Sequence, residues 1–213
     1  MNKLILLGAP GAGKGTQAEV LSEKLNIPII STGNILKQAI REATPLGLEA
    51  AAYMNEGNLV PDSIIIGIIK ERLAGDDCKD GYILDGVPRT IAQAEALDEM
   101  GVAVDCVLSL KVSDQVIIDR MSGRVICSLC GSSYHRVSKK PQVEGKCDRC
   151  GGGLVTRPDD APETVLKRLV AYHEQTEPLK AYYAKRGLLK EVQGENGVEQ
   201  TTQAVLCALG VEQ

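Results

Sequence analysis

An apolar run near the amino terminus leads directly into a glycine-rich loop, and a helical pattern begins where the loop ends. The run is Leu4–Leu7, and the loop reads GAPGAGKG. Gly8, Gly13 and Lys14 have the spacing of the phosphate-loop pattern G-x-x-x-x-G-K-[ST]. In such a loop several backbone N–H groups surround phosphate oxygens, and the amino end of the following helix adds its positive dipole. Strand, loop and helix together predict a nucleotide phosphate site rather than a purely structural turn.

One position of this loop departs from the usual pattern. Gly15 replaces the Ser or Thr that follows the lysine and contacts Mg²⁺ in other phosphate loops, and Thr16 comes one residue later. We expect Thr16 to contact phosphate from this shifted position. Lys14 is expected to reach the outer phosphates.

Strand-like apolar runs alternate with helical patterns along most of the chain, which predicts an α/β fold with β–α–β units around a parallel sheet. The predicted strands are Leu4–Leu7, Ile27–Ile30, Tyr82–Leu84, Val104–Leu110 and Leu188–Val192. The predicted helices are Gly15–Leu25, Gly33–Glu42, Leu46–Asn55, Asp62–Ala74, Ile91–Met100, Asp114–Met121, Glu163–Ala184 and Glu199–Leu209. Pro178 is expected to kink or break the longest helix.

Residues 123–160 interrupt this alternation. They show neither a helical nor a strand period, but they contain four Cys, two Pro and the triplet Gly151–Gly153. Seven Lys or Arg against four Asp or Glu make the segment basic, whereas the whole chain has a net charge of -4. We interpret the segment as a module inserted into the α/β domain.

Four of the seven cysteines form two C-x-x-C pairs, CSLC and CDRC, which are separated by 16 residues. This spacing is typical of a structural zinc site in which four thiolates surround the ion tetrahedrally. The predicted ligands are Cys127, Cys130, Cys147 and Cys150. A redox dithiol is the alternative, but it would not require a second pair. Four protein ligands leave no position for a reactive water, so the metal is expected to stiffen a module that lacks its own core.

The remaining Cys and His residues give weaker signals. His135 lies close to the first cysteine pair and is an alternative ligand, which would make a site of three Cys and one His. Cys78, Cys106 and Cys207 are expected to be ordinary buried or surface thiols. His173 lies inside the longest predicted helix, where a structural role is expected.

The composition limits the partners of the chain. A net charge of -4 does not suit a protein that coats nucleic acid or an anionic membrane. The apolar run at the start is too short for a signal peptide, and no stretch approaches the roughly 18 apolar residues of a membrane span. With no Trp or Phe and six Tyr, a bound base must be held by Tyr, Arg planes, aliphatic side chains or backbone. We expect a cytoplasmic protein.

The glycine loop, read as GAPGAGKGT, resembles that of nucleoside monophosphate kinases and most closely that of the adenylate kinase family. Further stretches resemble the family in the same order along the chain, and together they cover essentially its full length. They are STGNILK (Ser31–Lys37), GNLVPD (Gly57–Asp62), DGVPRTIAQA (Asp85–Ala94), DRMSGR (Asp119–Arg124) and TRPDDAPETVLKRL (Thr156–Leu169). The ordered set is far more specific than any one of these motifs.

The resemblance implies a P-loop NTPase-type sheet of five parallel strands flanked by helices, and the reaction Mg·ATP + AMP ⇌ 2 ADP. It implies a core formed by residues 1–30, 61–122 and 161–213, an AMP-binding helical flap at 31–60 and a zinc-binding lid at 123–160. Mg²⁺ would arrive with ATP, and the family is expected to act as a monomer.

The resemblance also implies roles for individual residues. The catalytic residues would be Lys14, Asp85, Arg89, Arg124, Arg157 and Arg168. The ATP-binding residues would be Gly11, Ala12, Gly13, Lys14, Gly15, Thr16, Arg120, Arg124, Ser133 and Tyr134. The AMP-binding residues would be Thr32, Lys37, Asn58, Leu59, Val60, Gly86, Val87, Pro88, Arg89, Gln93, Arg157 and Arg168. Arginine suits these positions because its planar, permanently charged fork binds phosphate through two hydrogen bonds.

Three positions differ from the usual family motifs. Asn34 replaces an Asp and loses a charge, and Val87 replaces a Phe and removes aromatic bulk below the AMP site. Lys37 replaces an Arg, so it retains the charge but loses the bidentate fork. None of these changes removes a catalytic residue, but they bear on the affinity and selectivity for AMP.

Two other functions remain open at this point. One is a kinase for a different acceptor, such as UMP or CMP, although the STG motif and Gln93 favour AMP. The other is a zinc-ribbon module that binds nucleic acid without catalysis. The acidic remainder of the chain and the ordered arginines argue against that function.

Overall fold

The computed structural model describes residues 2–211 of the chain. Met1, Glu212 and Gln213, which close the ends of the predicted core segments 1–30 and 161–213, lie outside the described residues. The strands in chain order are β1 (Lys3–Leu7), β2 (Ile29–Ser31), β3 (Tyr82–Asp85), β4 (Cys106–Lys111), β5 (Arg124–Cys127), β6 (Ser133–His135), β7 (Leu154–Val155) and β8 (Leu189–Gln193).

A parallel sheet with the order β2-β3-β1-β4-β8 carries the fold. The chain leaves β1 toward one side of the sheet to make β2 and β3, and later passes to the other side to make β4 and β8. A crevice therefore opens at the carboxyl end of β1, where α/β sheets place their ligands. The predicted fold class and all five predicted strands of this sheet are confirmed, with shifts of one or two residues at the ends.

The apolar run of β1 is buried on both faces, as expected for a central parallel strand. Leu4 and Leu6 pack into one apolar cluster, and Ile5 and Leu7 pack into a second cluster on the opposite face of the sheet. None of these four residues exposes more than 3% of its surface. The glycine loop is therefore anchored at the end of a fully buried apolar run.

Helices cover both faces of this sheet. They are α1 (Lys14–Leu25), α2 (Thr32–Arg41), α3 (Pro45–Glu56), α4 (Asp62–Leu73), α5 (Ile91–Glu99), α6 (Asp114–Ser122), α7 (Pro162–Ala171), α8 (Leu179–Lys185) and α9 (Val198–Leu209). Within residues 2–211, no helix combines the length and the hydropathy that crossing a membrane requires.

The helix predicted over Glu163–Ala184 is present in three successive parts. Helix α7 passes into a π-helical segment at Tyr172–Thr176, and a turn at Pro178 separates that segment from α8. The expected break at Pro178 is confirmed. The π-helical segment was not predicted, because its backbone register changes without a proline or glycine to mark it.

Helices α2 and α3, which follow β2 in the chain, pack against each other. The side chain of Thr44 caps α3 by accepting a hydrogen bond from the backbone N–H of Gly47 at 3.1 Å. Gly47 also lies against α2 so closely that a Cβ at this position would collide with the carbonyl of Ala39. The pair is thus held by a cap and by close backbone packing, in addition to its apolar contacts.

A second, antiparallel sheet of order β6-β5-β7 lies within residues 124–155. Its strands are two to four residues long, which is too short for an alternating pattern to be visible in the sequence. Its small core consists of Cys127, Tyr134 and Cys147, with Val125 and Leu154 packed against it. Cysteine side chains therefore form much of the interior of this sheet.

Candidate functional site

The glycine loop joins β1 to the first residue of α1. Gly8, Gly11 and Gly13 have positive φ angles of 146°, 81° and 99°, a region of backbone conformation that residues other than glycine rarely adopt. A Cβ at Gly8 would lie 2.9 Å from the carbonyl oxygen of Leu110, and one at Gly11 would lie 2.8 Å from the sulfur of Met121. The glycines therefore permit both the backbone path and the close packing of the loop on its neighbours.

Lys14 is the first residue of α1, and its side chain turns back into the loop. Its Nζ donates hydrogen bonds to the carbonyl oxygens of Gly8 at 2.6 Å and Ala9 at 2.9 Å. Burial lowers the pKa of Lys14 to about 8, although the nearby carboxylate of Asp85 opposes the shift. The charges of neighbouring arginines lower this pKa further. Lys14 is thus a partly buried cation that an anionic ligand would stabilise.

Asp85 is the last residue of β3 and pairs in register with Leu6 of the neighbouring β1. Its carboxylate is therefore held beside the glycine loop, at the carboxyl edge of the sheet. The hydroxyl of Ser31, at the end of β2, lies 3.5 Å from its Oδ2. A partly exposed carboxylate at this edge is suited to Mg²⁺, which prefers oxygen ligands and retains part of its water shell.

Two consecutive carboxylates, Asp159 and Asp160, hold three of the predicted phosphate-binding arginines. Arg157 makes a bidentate pair with Asp159, with Nε–Oδ1 at 2.9 Å and a terminal nitrogen at 2.5 Å from Oδ2. Arg168 donates to the same Oδ2 at 3.0 Å. Arg124 makes a second bidentate pair with the fully buried carboxylate of Asp160.

Asp159 is the meeting point of cations from separate parts of the chain. In addition to the two arginines, the Nζ of Lys37 on α2 lies 3.8 Å from its Oδ2. Burial alone would raise the pKa of Asp159, but the positive charges of Arg157 and Arg168 hold it below the usual value. Burial lowers the pKa of Arg168 to about 10. Asp159 thus contacts three cations that the sequence predicts as AMP-binding residues: Lys37, Arg157 and Arg168.

Asp159 and Asp160 were missed by the sequence reasoning, although a signal existed. They directly follow an arginine that was predicted to bind phosphate, within the quoted stretch TRPDD. Thr176 was also missed: it lies in the π-helical segment and donates to the backbone carbonyl of Arg89 at 2.8 Å. Arg89 is further held by its own Nε, which donates to the carbonyl of Gly86 at 2.8 Å.

Two cavities meet at this cluster of cations. The larger is a cleft of about 1370 Å³, and it is lined by all ten of the predicted ATP-binding residues. The smaller cavity is about 120 Å³, which is less than the ~300 Å³ of a typical small-molecule pocket. A nucleotide could enter the smaller cavity only if the surrounding helices and side chains moved.

The predicted AMP-binding residues divide into two groups around the smaller cavity. Eight of them line it: Lys37, Asn58, Leu59, Gly86, Pro88, Arg89, Arg157 and Arg168. The other four are buried and line neither cavity: Thr32, Val60, Val87 and Gln93. The buried polar members have protein partners, since the hydroxyl of Thr32 donates to the carbonyl of Gly86 at 2.9 Å.

The outer part of the larger cleft brings together Arg120 and the strand β6. Arg120 donates from a terminal nitrogen to the carbonyl of Gly194 at 2.7 Å, which fixes its guanidinium beside the loop that leads to α9. Ser133 lies half-buried on β6. The side chain of Tyr134 is directed to the cysteines, because its hydroxyl contacts the Sγ of Cys147 at 3.3 Å and accepts from the N–H of Asp148 at 2.8 Å.

The four cysteines of the two C-x-x-C pairs come together at the end of the smaller sheet. Their sulfurs all lie within 4.8 Å of one another, with Cys127 and Cys150 at 3.4 Å and Cys130 and Cys147 at 3.5 Å. Tetrahedral zinc with bonds of about 2.3 Å places its sulfur ligands about 3.8 Å apart, so the arrangement fits this ion. A hydrogen bond from the Tyr134 hydroxyl lowers the pKa of Cys147 to about 6, which favours the thiolate that binds metal.

Among the described residues, the metal-ligating group consists of these four cysteines alone. The alternative with His135 as a ligand is therefore not supported. The Nδ1 of His135 instead accepts from the backbone N–H groups of Val137 and Ser138, both at 3.1 Å. Cys78 and Cys106 are buried and Cys207 is exposed, as expected for ordinary thiols.

His173 lies on the surface and lines neither cavity. Its Nε2 is 3.0 Å from an oxygen of Asp114 at the start of α6, and its Nδ1 is 2.8 Å from an oxygen of Glu177. The hydrogen bonds to Glu177 and Asp114 raise the pKa of His173. The residue thus joins two helices, in agreement with a structural role.

The sequence of the chain is similar to those of known proteins. The model of the family described as "Adenylate kinase" matches residues 6–188. The adenylate kinase of Caldicellulosiruptor bescii is 56% identical to this chain, and the alignment covers 99% of the chain and 100% of the relative. The adenylate kinase of Acetivibrio thermocellus is 54% identical over 97% of each chain. That of Thermodesulfovibrio yellowstonii is 51% identical over 97% of this chain and 98% of the relative.

Proposed function

The chain belongs to the adenylate kinase family, and from this membership we infer that it catalyses the reversible transfer of a phosphoryl group from ATP to AMP, giving two ADP. The observation that carries the inference is a set of cations that line both cavities and form a wall between them. Five cations line both of them: Lys14, Lys37, Arg89, Arg157 and Arg168. A donor in the larger cleft and an acceptor in the smaller cavity would therefore bring their phosphates together at one cationic wall.

Phosphoryl transfer is well served by such a wall. The transition state spreads negative charge over the oxygens of the transferred group, and catalysis consists mainly of positioning and charge neutralisation. We propose that Lys14 meets the transferred group while Arg89 and Arg168 hold both substrates in line. The reaction needs no covalent intermediate on the protein.

We further propose that phosphate oxygens replace carboxylates as substrates bind. Asp159 and Asp160 supply the charge-assisted hydrogen bonds that Arg124, Arg157 and Arg168 would otherwise lack in a buried site. Bound phosphates can take over these bonds because they present oxygens of the same charge and similar geometry. Substrate binding would then exchange anions rather than create new ion pairs.

The family membership implies that Mg²⁺ accompanies ATP, and its role is to neutralise charge on the phosphates. Asp85 is the residue that we propose holds the ion, through its position at the end of β3. Its partner Ser31 would fix the carboxylate. The glycine loop would hold the remaining phosphate oxygens through the N–H groups at the start of α1.

The division of labour along the chain is also a proposal. Residues 31–60 would form the AMP-binding flap and residues 123–160 a zinc-stiffened lid, with the remaining residues as the core. Two polar contacts support lid closure over the cleft: Arg41 donates to the carbonyl of Ser128 at 2.5 Å, and Lys139 pairs with Glu19 at 3.1 Å. Closure would exclude water from the reacting phosphates, and reopening would then limit turnover. We expect a cytoplasmic monomer that does not bind nucleic acid.

The function is tested by a panel of acceptors with Mg·ATP as donor, in an assay that couples formation of the nucleoside diphosphate to NADH oxidation. AMP should be phosphorylated far faster than UMP, CMP or GMP. Lys14→Ala should lower turnover by several orders of magnitude, whereas Lys24→Ala on the exposed face of the same helix should not. Comparable turnover with UMP or CMP would refute the acceptor assignment, and an active Lys14→Ala enzyme would refute the role of the loop.

A further inference from the structure

The carboxamide of Gln93, one of the buried residues behind the acceptor cavity, is held from both ends. Its Oε1 accepts a hydrogen bond from the backbone N–H of Arg89 at 2.7 Å. Its Nε2 donates to the Oδ1 of Asp62 at 2.6 Å. Asp62 begins α4 and Gln93 lies in the first turn of α5. The contact between them therefore joins two helices through residues that are 31 positions apart in the sequence.

These two partners fix which end of the amide is oxygen and which is nitrogen. A backbone N–H can only donate, and an ionised carboxylate can only accept. In the flipped orientation, Nε2 would face the N–H of Arg89 and Oε1 would face the carboxylate of Asp62, so both contacts would be repulsive. With Gln93 only 1% exposed, water cannot compensate for that loss.

Asp62 is itself held in place by a third residue. Thr90 caps α5 by accepting a hydrogen bond from the N–H of Gln93 at 3.1 Å, and its hydroxyl donates to the Oδ2 of Asp62 at 3.0 Å. Both oxygens of the carboxylate therefore have a donor. Asp62 is half-buried, lines neither cavity and has no place in the proposed transfer.

We propose that Asp62 is a positioning residue that sets the selectivity of the enzyme for a 6-aminopurine acceptor. The inference rests on the proposed function, and it takes Gln93, which the family resemblance implies as an AMP-binding residue, as the side chain that contacts the base. The orientation held by Asp62 leaves Gln93 one free N–H on its nitrogen and one free lone pair on its oxygen. These match a ring-nitrogen acceptor beside an exocyclic amino group, which is the edge that adenine presents.

A 6-oxopurine presents the opposite edge. Hypoxanthine and guanine carry an acceptor oxygen at the exocyclic position and a donor N–H in the ring. They would therefore place acceptor against acceptor and donor against donor at Gln93. Rotation of the amide would remove the conflict, and Asp62 opposes that rotation. Selectivity thus comes from a carboxylate that need not touch the substrate.

The test compares AMP with IMP, the closest 6-oxo analogue, in Asp62→Asn. The asparagine can donate as well as accept, so a flipped Gln93 would keep a favourable contact with residue 62 and would be unfavourable only against the N–H of Arg89. We expect the ratio of kcat/KM for AMP to that for IMP to fall by roughly tenfold or more, through a higher KM for AMP and a lower KM for IMP. The kcat with AMP and the KM for ATP should change less than about twofold. Asp76→Asn, at an exposed carboxylate paired with Lys79, is the matched control and should keep the wild-type ratio.

Two further variants make the outcome decisive. Asp62→Glu retains the carboxylate and should keep most of the selectivity, even if α4 is less stable. Gln93→Leu removes the proposed base contact itself, so it tests the role of Gln93 separately from the role of Asp62. If Gln93→Leu loses selectivity and Asp62→Asn does not, the inference about Asp62 is wrong and the proposed function stands. If Gln93→Leu keeps full preference for AMP over IMP, the base contact assigned to Gln93 is wrong.

Discussion

The lowered pKa of Lys14 predicts that ATP binding depends on pH in the alkaline range. Burial brings the pKa of this ammonium from 10.5 to about 8, so about nine-tenths of the molecules carry a neutral Lys14 at pH 9. Triphosphate oxygens favour the charged form and should return the pKa to at least its usual value. Binding at pH 9 must therefore take up about 0.9 proton per site, against about 0.1 at pH 7.

The same linkage gives the expected loss of affinity. If only the charged form of Lys14 binds tightly, the apparent Kd for Mg·ATP is about tenfold higher at pH 9 than at pH 7, or about 1.4 kcal/mol. The effect of Lys14 on the stability of the fold has the opposite dependence on pH. The unfolded chain binds more protons at Lys14 than the folded chain between pH 8 and 10.5, so this residue makes folding more favourable as the pH rises through that range. Weaker binding at pH 9 would therefore not reflect unfolding caused by Lys14.

Isothermal titration calorimetry measures both quantities. Mg·ATP is titrated at pH 7 and pH 9 in two buffers with different enthalpies of ionisation, and the difference in apparent enthalpy gives the proton uptake. Lys14→Met should remove the uptake at pH 9, and Lys24→Met should keep it. Uptake below about 0.2 proton at pH 9, or equal uptake in wild type and Lys14→Met, would refute the reasoning.

Three further predictions concern the metal, the acceptor phosphate and the surface histidine. Cys147→Ser should release about one zinc per chain and lower the melting temperature while activity at low temperature persists, and Cys207→Ser should do neither; a stable but inactive Cys147→Ser would contradict the structural role. Lys37→Arg should lower the KM for AMP by roughly threefold in steady-state kinetics, a modest gain because the new guanidinium also binds Asp159, while Lys37→Ala should raise it. His173→Gln should lower the free energy of unfolding by up to about 1 kcal/mol at pH 5.5 and hardly at pH 8.5. The pKa of His173 is raised in the folded protein, so the charged imidazole stabilises the fold fully below the pKa of the unfolded chain. This stabilisation is lost as the pH rises through the pKa of the folded protein. Equal effects at both pH values in urea titrations would contradict the ionic origin of that stabilisation.

The parts of the fold that were predictable have signals that are local in sequence. The run Leu4–Leu7, the glycine loop and the start of α1 occupy fewer than thirty consecutive residues, and each constrains the next through burial, backbone freedom and helix geometry. The two C-x-x-C pairs are local in the same way, because the geometry of four thiolates around one ion demands their spacing. Such patterns can be interpreted before any tertiary contact is known.

The features that could not be predicted depend on residues that meet only after folding. Arg124 and Asp160 are 36 residues apart, and nothing in either sequence neighbourhood indicates that they form a bidentate pair. The strands of the smaller sheet escaped notice because cysteines supply the core that alternating apolar residues would otherwise provide. The contact between Asp62 and Gln93 joins two helices through polar atoms, which leave no hydrophobic period.

The carboxylates at the centre of the site follow from a requirement that the cations themselves create. A guanidinium buried without a partner costs several kcal/mol, so a site with this many cations would be unstable if it waited for phosphate to neutralise them. Asp159 and Asp160 meet that requirement in the structure described above. If substrate phosphates replace these carboxylates, as proposed above, binding would exchange similar hydrogen bonds and its net gain would stay small. A small net affinity for substrates and products would leave more of the interaction energy for the transition state, whose charge the same cations would meet most fully.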